Sequence, residues 1–150
     1  MTTISIKLLK RFTPPAACAL LIACGAALDD PAAQEYIVRT RFAQAAGTTD
    51  FVEMVVTKYY IHHDTWPASI EQAAKDAPDD KVQALPTKEV QSIALGANGE
   101  LTVTFTAGLP ELGGKSFVMS PLIAGNGSVS WKCSAPAIPE KYRTTKCKAP

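Results

Sequence analysis

The sequence predicts an α+β domain in which one long N-terminal helix packs on a four-stranded antiparallel sheet. Apolar residues recur every three or four positions between residues 31 and 59, which indicates one buried helix face. After Val90 the period changes to two, which is typical of strands that bury one side. Asn-Gly turns separate the alternating segments. With 150 residues, 47% of them hydrophobic, the chain is long enough for one such domain.

The predicted helix begins at Asp30 and Pro31, since aspartate caps free N–H groups and proline suits the first helical turn. It ends at Trp66-Pro67, and an irregular connection over residues 67–88 contains a short helix near Ile70–Lys75. The apolar stripe comprises Val38, Phe42, Ala45, Val52, Val55, Val56 and Tyr59. The charged residues that fall largely off this stripe are Arg39, Arg41, Glu53 and Lys58.

Four strands are predicted after the connection. They cover Val90–Ala94, Glu100–Thr106, Lys115–Ile123 and Ser128–Lys132. Within the last strand, Val129 and Trp131 point to the same side, so we expect Trp131 to be largely buried.

Residues 1–29 are predicted to form an export or anchor segment ahead of a globular domain at residues 30–150. The segment begins with three cations and no acid, followed by 13 uncharged residues from Ala16 to Leu28. A bilayer-spanning helix needs about 20 apolar residues, so the pattern favours a secretory signal. Leu21-Ile22-Ala23-Cys24 resembles a bacterial lipobox, in which the cysteine is acylated and becomes the mature N-terminus. Lipidation at Cys24 is therefore one predicted processing route.

The chain has four cysteines: Cys18, Cys24, Cys133 and Cys147. The first two lie in the apolar N-terminal stretch, and the other two lie in an irregular, Pro-rich C-terminal stretch. In an exported protein, the C-terminal pair is the expected disulfide.

Several segments together resemble a known family. They are the run from Pro31 to Arg41, Tyr59-Tyr60 followed by Trp66-Pro67, Gly99 to Phe105, Ser120-Pro121, Gly127 to Cys133, Ile138 to Tyr142, and Cys147. Their order and spacing over residues 30–150 resemble the globular domain of type IVa pilins. The resemblance implies a pilin fold, a Cys133–Cys147 disulfide and an exposed intervening loop.

The same resemblance implies a function without catalysis. It implies a structural or adhesion-associated protein of the bacterial envelope, a pilus subunit or minor pilin-like component. Its partners would be other pilins or pilus-assembly proteins, and the membrane through the N-terminal segment or a lipid. Lys10-Arg11-Phe12-Thr13 also resembles the prepilin cleavage junction, with the cut between Arg11 and Phe12 and with arginine where glycine is expected. The alternative is a lipid-anchored pilin-like accessory protein that does not polymerise.

The sequence contains no common catalytic or cofactor motif. G-x-S-x-G, H-E-x-x-H, G-x-G-x-x-G and the P-loop pattern are all missing. His62 and His63 are neighbours that diverge by about 100° on a helix, so they predict a polar helix end rather than a metal site. The adjacent acids Asp29-Asp30 and Asp79-Asp80 are interpreted as solvated. We therefore expect a non-enzymatic protein without a cofactor or metal.

The C-terminal end is basic although the whole chain has a formal net charge of only +1. The cations cluster around the expected disulfide loop and are Lys132, Lys141, Arg143, Lys146 and Lys148. One interpretation is an ordinary soluble surface. The other is a surface for an anionic partner such as DNA or a charged cell surface.

Overall fold

The computed structural model describes residues 30–77 and 86–148. Its helices are α1 (Pro31–His63), α2 (Ile70–Lys75) and two 3-10 turns at Glu140–Tyr142 and Thr145–Cys147. Its strands are β1 (Val90–Leu95), β2 (Leu101–Phe105), β3 (Ser116–Ile123) and β4 (Val129–Ser134). The chain divides into a unit that ends at Gln34 and a unit that begins at Glu35. The predicted α+β architecture is confirmed.

The first turn of α1 is capped as the sequence indicates. The Asp30 carboxylate accepts a hydrogen bond from the backbone N–H of Ala32 at 3.1 Å. The whole helix is 33 residues long and runs through Gly47 to His63. No helix within residues 30–77 and 86–148 is long and apolar enough to cross a membrane.

The four strands form one antiparallel sheet in the order β1-β2-β3-β4. Val103 in β2 pairs with Ile93 in β1 and with Phe117 in β3, which aligns the apolar faces of the inner strands. Met119 in β3 pairs with Cys133 in β4. The meander order follows from short turns, because an antiparallel neighbour needs only a hairpin connection.

Three phenylalanines hold α1 against the sheet. Phe42 of α1 lies 5.6 Å from Phe105 of β2 and 5.2 Å from Phe117 of β3, measured between ring centroids. The Phe105 and Phe117 rings are 5.5 Å apart, and all three side chains are fully buried. Aromatic rings bury the largest apolar areas in a core, so this cluster sets the position of the helix over the two central strands.

A second aromatic group covers the C-terminal end of α1. Tyr60 stacks on Trp66 at 4.2 Å, and Trp66 meets Trp131 of β4 edge-on at 6.5 Å. The indole N–H of Trp131 donates to the hydroxyl of Thr57 at 3.1 Å. The expectation of a largely buried Trp131 is only partly met, because this side chain is half-buried at the outer strand of the sheet, where its N–H has a polar partner.

The turn before β2 provides a first test of the packing. Gly99 has φ of +76°, and a Cβ added there would lie 2.5 Å from the Trp66 ring. We expect Gly99→Ala to lower the free energy of unfolding by about 1 to 2 kcal/mol, measured by urea denaturation. Gly127→Ala is the matched control, since Gly127 has φ of +80° with open space around it. Equal losses in the two variants would mean that Trp66 imposes no constraint on this turn.

Candidate functional site at the C-terminal disulfide loop

Cys133 and Cys147 form a disulfide, as expected. Cys133 lies near the end of β4, Cys147 lies in the last 3-10 turn, and their Cα atoms are 4.6 Å apart. The bond closes residues 133–147, which we call the disulfide loop. Ile138 is fully buried and Tyr142 is nearly so. Most other loop side chains are partly or fully exposed. The loop is therefore anchored by a few apolar residues and presents the rest of its side chains to solvent.

The loop is also tied to α1 through a buried carboxylate. Glu53 is only 6% exposed, and its Oε2 lies 3.2 Å from the Lys146 Nζ, which is also 3.7 Å from the Asp50 Oδ1. The Thr49 hydroxyl lies 2.7 Å from Glu53 Oε1. The sequence placed Glu53 largely off the buried stripe of α1, and this was wrong, because the disulfide loop covers that part of the helix and supplies a partner for the charge.

The five basic residues of the C-terminal end do not form one uniform surface. Lys146 pairs with Glu53, and the Arg143 Nε donates to the carbonyl of Ile138 at 2.7 Å. The Lys141 Nζ lies 4.7 Å from the centre of the Tyr142 ring. A side-chain hydrogen bond to Tyr142, with smaller contributions from Glu35 and Glu111, raises the pKa of Lys141.

Two clefts flank the loop, and Arg143 lines both. A smaller one, about 220 Å³, is lined by Lys132, Arg143 and Lys148 together with loop residues beside the disulfide. A larger one, about 410 Å³, lies between the loop and the first half of α1. Its lining residues are Tyr36, Arg39, Thr40, Ala43, Arg143, Thr144 and Thr145. Sequence reasoning missed Arg39 as a cleft residue, since nothing local to the helix indicates that the loop packs nearby.

The candidate metal residues do not form a cluster. Within the described part of the chain, no group of three or more His, Cys, Asp or Glu side chains could hold an ion. His63 instead bonds to Asp76 and stacks on Tyr59 at 4.2 Å, which links the end of α1 to the residue after α2. Asp79 and Asp80 lie outside the described residues, as do Arg11, Phe12, Cys18 and Cys24.

Comparison with known proteins assigns the fold to a family. A family model described as pilin, a bacterial filament protein, matches residues 38–148. The type IV major pilin protein PilE1 of Neisseria gonorrhoeae is 31% identical over 113 residues, which cover 74% of this chain and 66% of the relative. Fimbrial protein EcpC of Eikenella corrodens is 30% identical over 125 residues, which cover 82% of this chain and 78% of the relative. A fimbrial protein of Neisseria meningitidis serogroup A is 30% identical over 122 residues, which cover 80% of this chain and 68% of the relative.

The matches extend from α1 to the disulfide loop. The chain spans 60 to 66% of the length of the gonococcal relatives that it matches. The family model covers both the helix that carries Phe42 and the loop that carries Cys133 and Cys147. The chain belongs to the pilin family.

Proposed function

We propose that this chain is a structural subunit of a type IV pilus, or a minor pilin-like component of one. It would be exported to the cell envelope, would assemble with other pilins and would act without catalysis. The proposal rests on the pilin-family match together with one observation: four large apolar side chains of α1 are exposed and lie on the same side of the helix.

The exposed apolar residues of α1 share one side of the helix. At 100° per residue they fall within a sector of about 120°, largely opposite the buried stripe that contains Phe42 and Val56. Tyr36 is 72% exposed and Ile61 is 61% exposed. The complete set is Tyr36, Ile37, Phe51 and Ile61. Large apolar side chains aligned on the outside of a helix are typical of a surface that packs against another protein.

Filament incorporation tests this proposal. We expect the double variant Phe51→Ser/Ile61→Ser to lower the amount of protein in sheared filaments roughly tenfold or more, since each buried apolar side chain contributes about 1.5 to 3 kcal/mol. The measurement is an immunoblot of the sheared and total fractions from the native host. Leu122→Ser is the matched control, because Leu122 is as exposed as Phe51 (50% and 48%) but lies near the end of β3 rather than on α1. Undiminished incorporation of the double variant would count against the proposal.

The N-terminal processing route distinguishes the filament subunit from the lipid-anchored alternative. Both predicted routes fall on residues outside the described part of the chain. Mass spectrometry of the mature protein from the native host separates them. An N-terminus at Phe12 supports prepilin processing and assembly. A diacylglyceryl group on Cys24 supports an anchored protein that does not polymerise, and would replace the filament proposal.

A further inference from the structure

We propose that the larger cleft, between the first half of α1 and the disulfide loop, binds a phosphate group held by Arg39 and Arg143. This site differs from the basic surface that the sequence indicates, because Arg39 is added and Lys146 is committed to Glu53. Tyr36 is the one residue common to this cleft and to the exposed apolar set of α1 on which filament assembly is argued, whereas both arginines lie outside that set.

The lining of the cleft suits an oxyanion. Its lining residues include two arginines, one tyrosine and three threonines, and no acid. The volume of about 410 Å³ is ample for a phosphate with an attached group. Guanidinium groups match phosphate geometry because they can donate two parallel hydrogen bonds to its oxygens.

The two arginines differ in how they are held. The Arg143 Nε donates to the Ile138 carbonyl at 2.7 Å, which orients the guanidinium and leaves its four Nη hydrogens as free donors. A side chain that is already ordered loses less entropy when a ligand binds. Arg39 is exposed on α1 and makes no hydrogen bond or ion pair with any residue in the described ranges. Both guanidinium groups therefore have donors available.

Thr144 supplies an independent observation at the same place. Its Oγ1 is buried and has no hydrogen-bond partner among the described residues, although the residue lines the cleft. A buried hydroxyl without a partner is costly. A phosphate oxygen bound in the cleft is an acceptor of the kind that this hydroxyl lacks. The unsatisfied hydroxyl is explained if the cleft normally holds an acceptor.

The smaller cleft extends the positive charge beyond the proposed site. Lys132 and Lys148 line it together with Arg143, again with no acid among the lining residues. An arginine shared between two basic clefts suits either free phosphate or consecutive phosphates of a phosphodiester strand. The chemistry recognised at Arg143 is the same in both cases, and the experiment below distinguishes the two sources.

The test uses the full chain, labelled with nitrogen-15, in a non-ionic detergent. Inorganic phosphate is added in one arm and a thymidine oligonucleotide in the other, at constant ionic strength with chloride as the balancing anion. We expect saturable shifts of the Thr144 amide and of the arginine Nε resonances. Saturation by inorganic phosphate identifies a free-phosphate site, and saturation by the oligonucleotide alone identifies a phosphodiester site. Absence of saturable shifts in both arms overturns the proposal.

Variants separate binding from folding. Arg39→Gln and Arg143→Gln should each weaken binding roughly tenfold, as expected for loss of a charged hydrogen bond. Arg41→Gln, on the same helix but outside the cleft lining, should leave binding unchanged. Thr144→Val should weaken binding without lowering the melting temperature, because it removes an unsatisfied hydroxyl and keeps the shape. Binding by Arg39→Gln equal to that of the unaltered chain would overturn the assignment, as would loss of binding in Arg41→Gln.

Discussion

Replacing Cys147 with alanine is expected to lower the free energy of unfolding by about 2 to 5 kcal/mol. The disulfide joins residues 14 apart in sequence, and the loop-entropy account gives roughly 3 kcal/mol for a closure of this size. The effect should be large here because residues 135–148 contain only two short 3-10 turns, so little regular backbone hydrogen bonding holds them once the bond is cut. Urea denaturation followed by tryptophan fluorescence measures the loss.

Three comparisons make the result specific to the bond. Cys133→Ala and the double alanine variant should lose as much as Cys147→Ala, since each removes the same cross-link. Reductant should shift the urea midpoint of the unaltered chain by a similar amount and leave the double variant unchanged. An unaltered chain whose midpoint does not respond to reductant would show that the disulfide does not stabilise the fold.

The helices and strands were predictable because their signals are local. Spacings of three and four residues depend only on neighbours along the chain, and they located α1 to within a few residues of its observed end at His63. The short helix Ile70–Lys75 was predicted with its observed bounds, and Ser69 caps it by accepting a hydrogen bond from the Gln72 N–H at 3.1 Å. Each strand was placed within two residues of its observed ends for the same reason.

The features of the candidate site were not predictable in this way, because they join residues that are distant in sequence. Arg39 and Arg143 line one cleft only because the disulfide loop lies beside α1. Glu53 is buried by a loop whose Lys146 is 93 residues further along the chain. Helical periodicity assigns a residue to a side of the helix, but it carries no information on which sides the rest of the chain will cover. The disulfide was indicated by the positions of the cysteines in an exported protein and by resemblance to a family, which carries such long-range information.

Replacing Lys146 with methionine should destabilise the domain by about 2 to 3 kcal/mol, because it leaves the Glu53 carboxylate buried with only the Thr49 hydroxyl for a partner. This is below the 3 to 5 kcal/mol typical of fully buried pairs, since the Lys146 side chain is 42% exposed and its charge is partly screened by water. Methionine keeps the length of the apolar stem, so packing is largely preserved. Urea denaturation at neutral pH gives the free energy of unfolding.

Removing both charges at once then separates the cost of the unpaired carboxylate from the cost of altered packing. Glu53→Leu/Lys146→Met should be more stable than Lys146→Met alone, because it removes the buried charge as well as its partner. Asp50→Asn is the control: Asp50 is 68% exposed and 3.7 Å from the same Nζ, so its loss should cost less than about 1 kcal/mol. If Lys146→Met were as stable as Asp50→Asn, the contact between loop and helix would contribute no more than a surface pair. If instead the double variant recovers stability, the cost of Lys146→Met lies in leaving Glu53 buried and unpaired, and the loop stays against α1 without the ion pair.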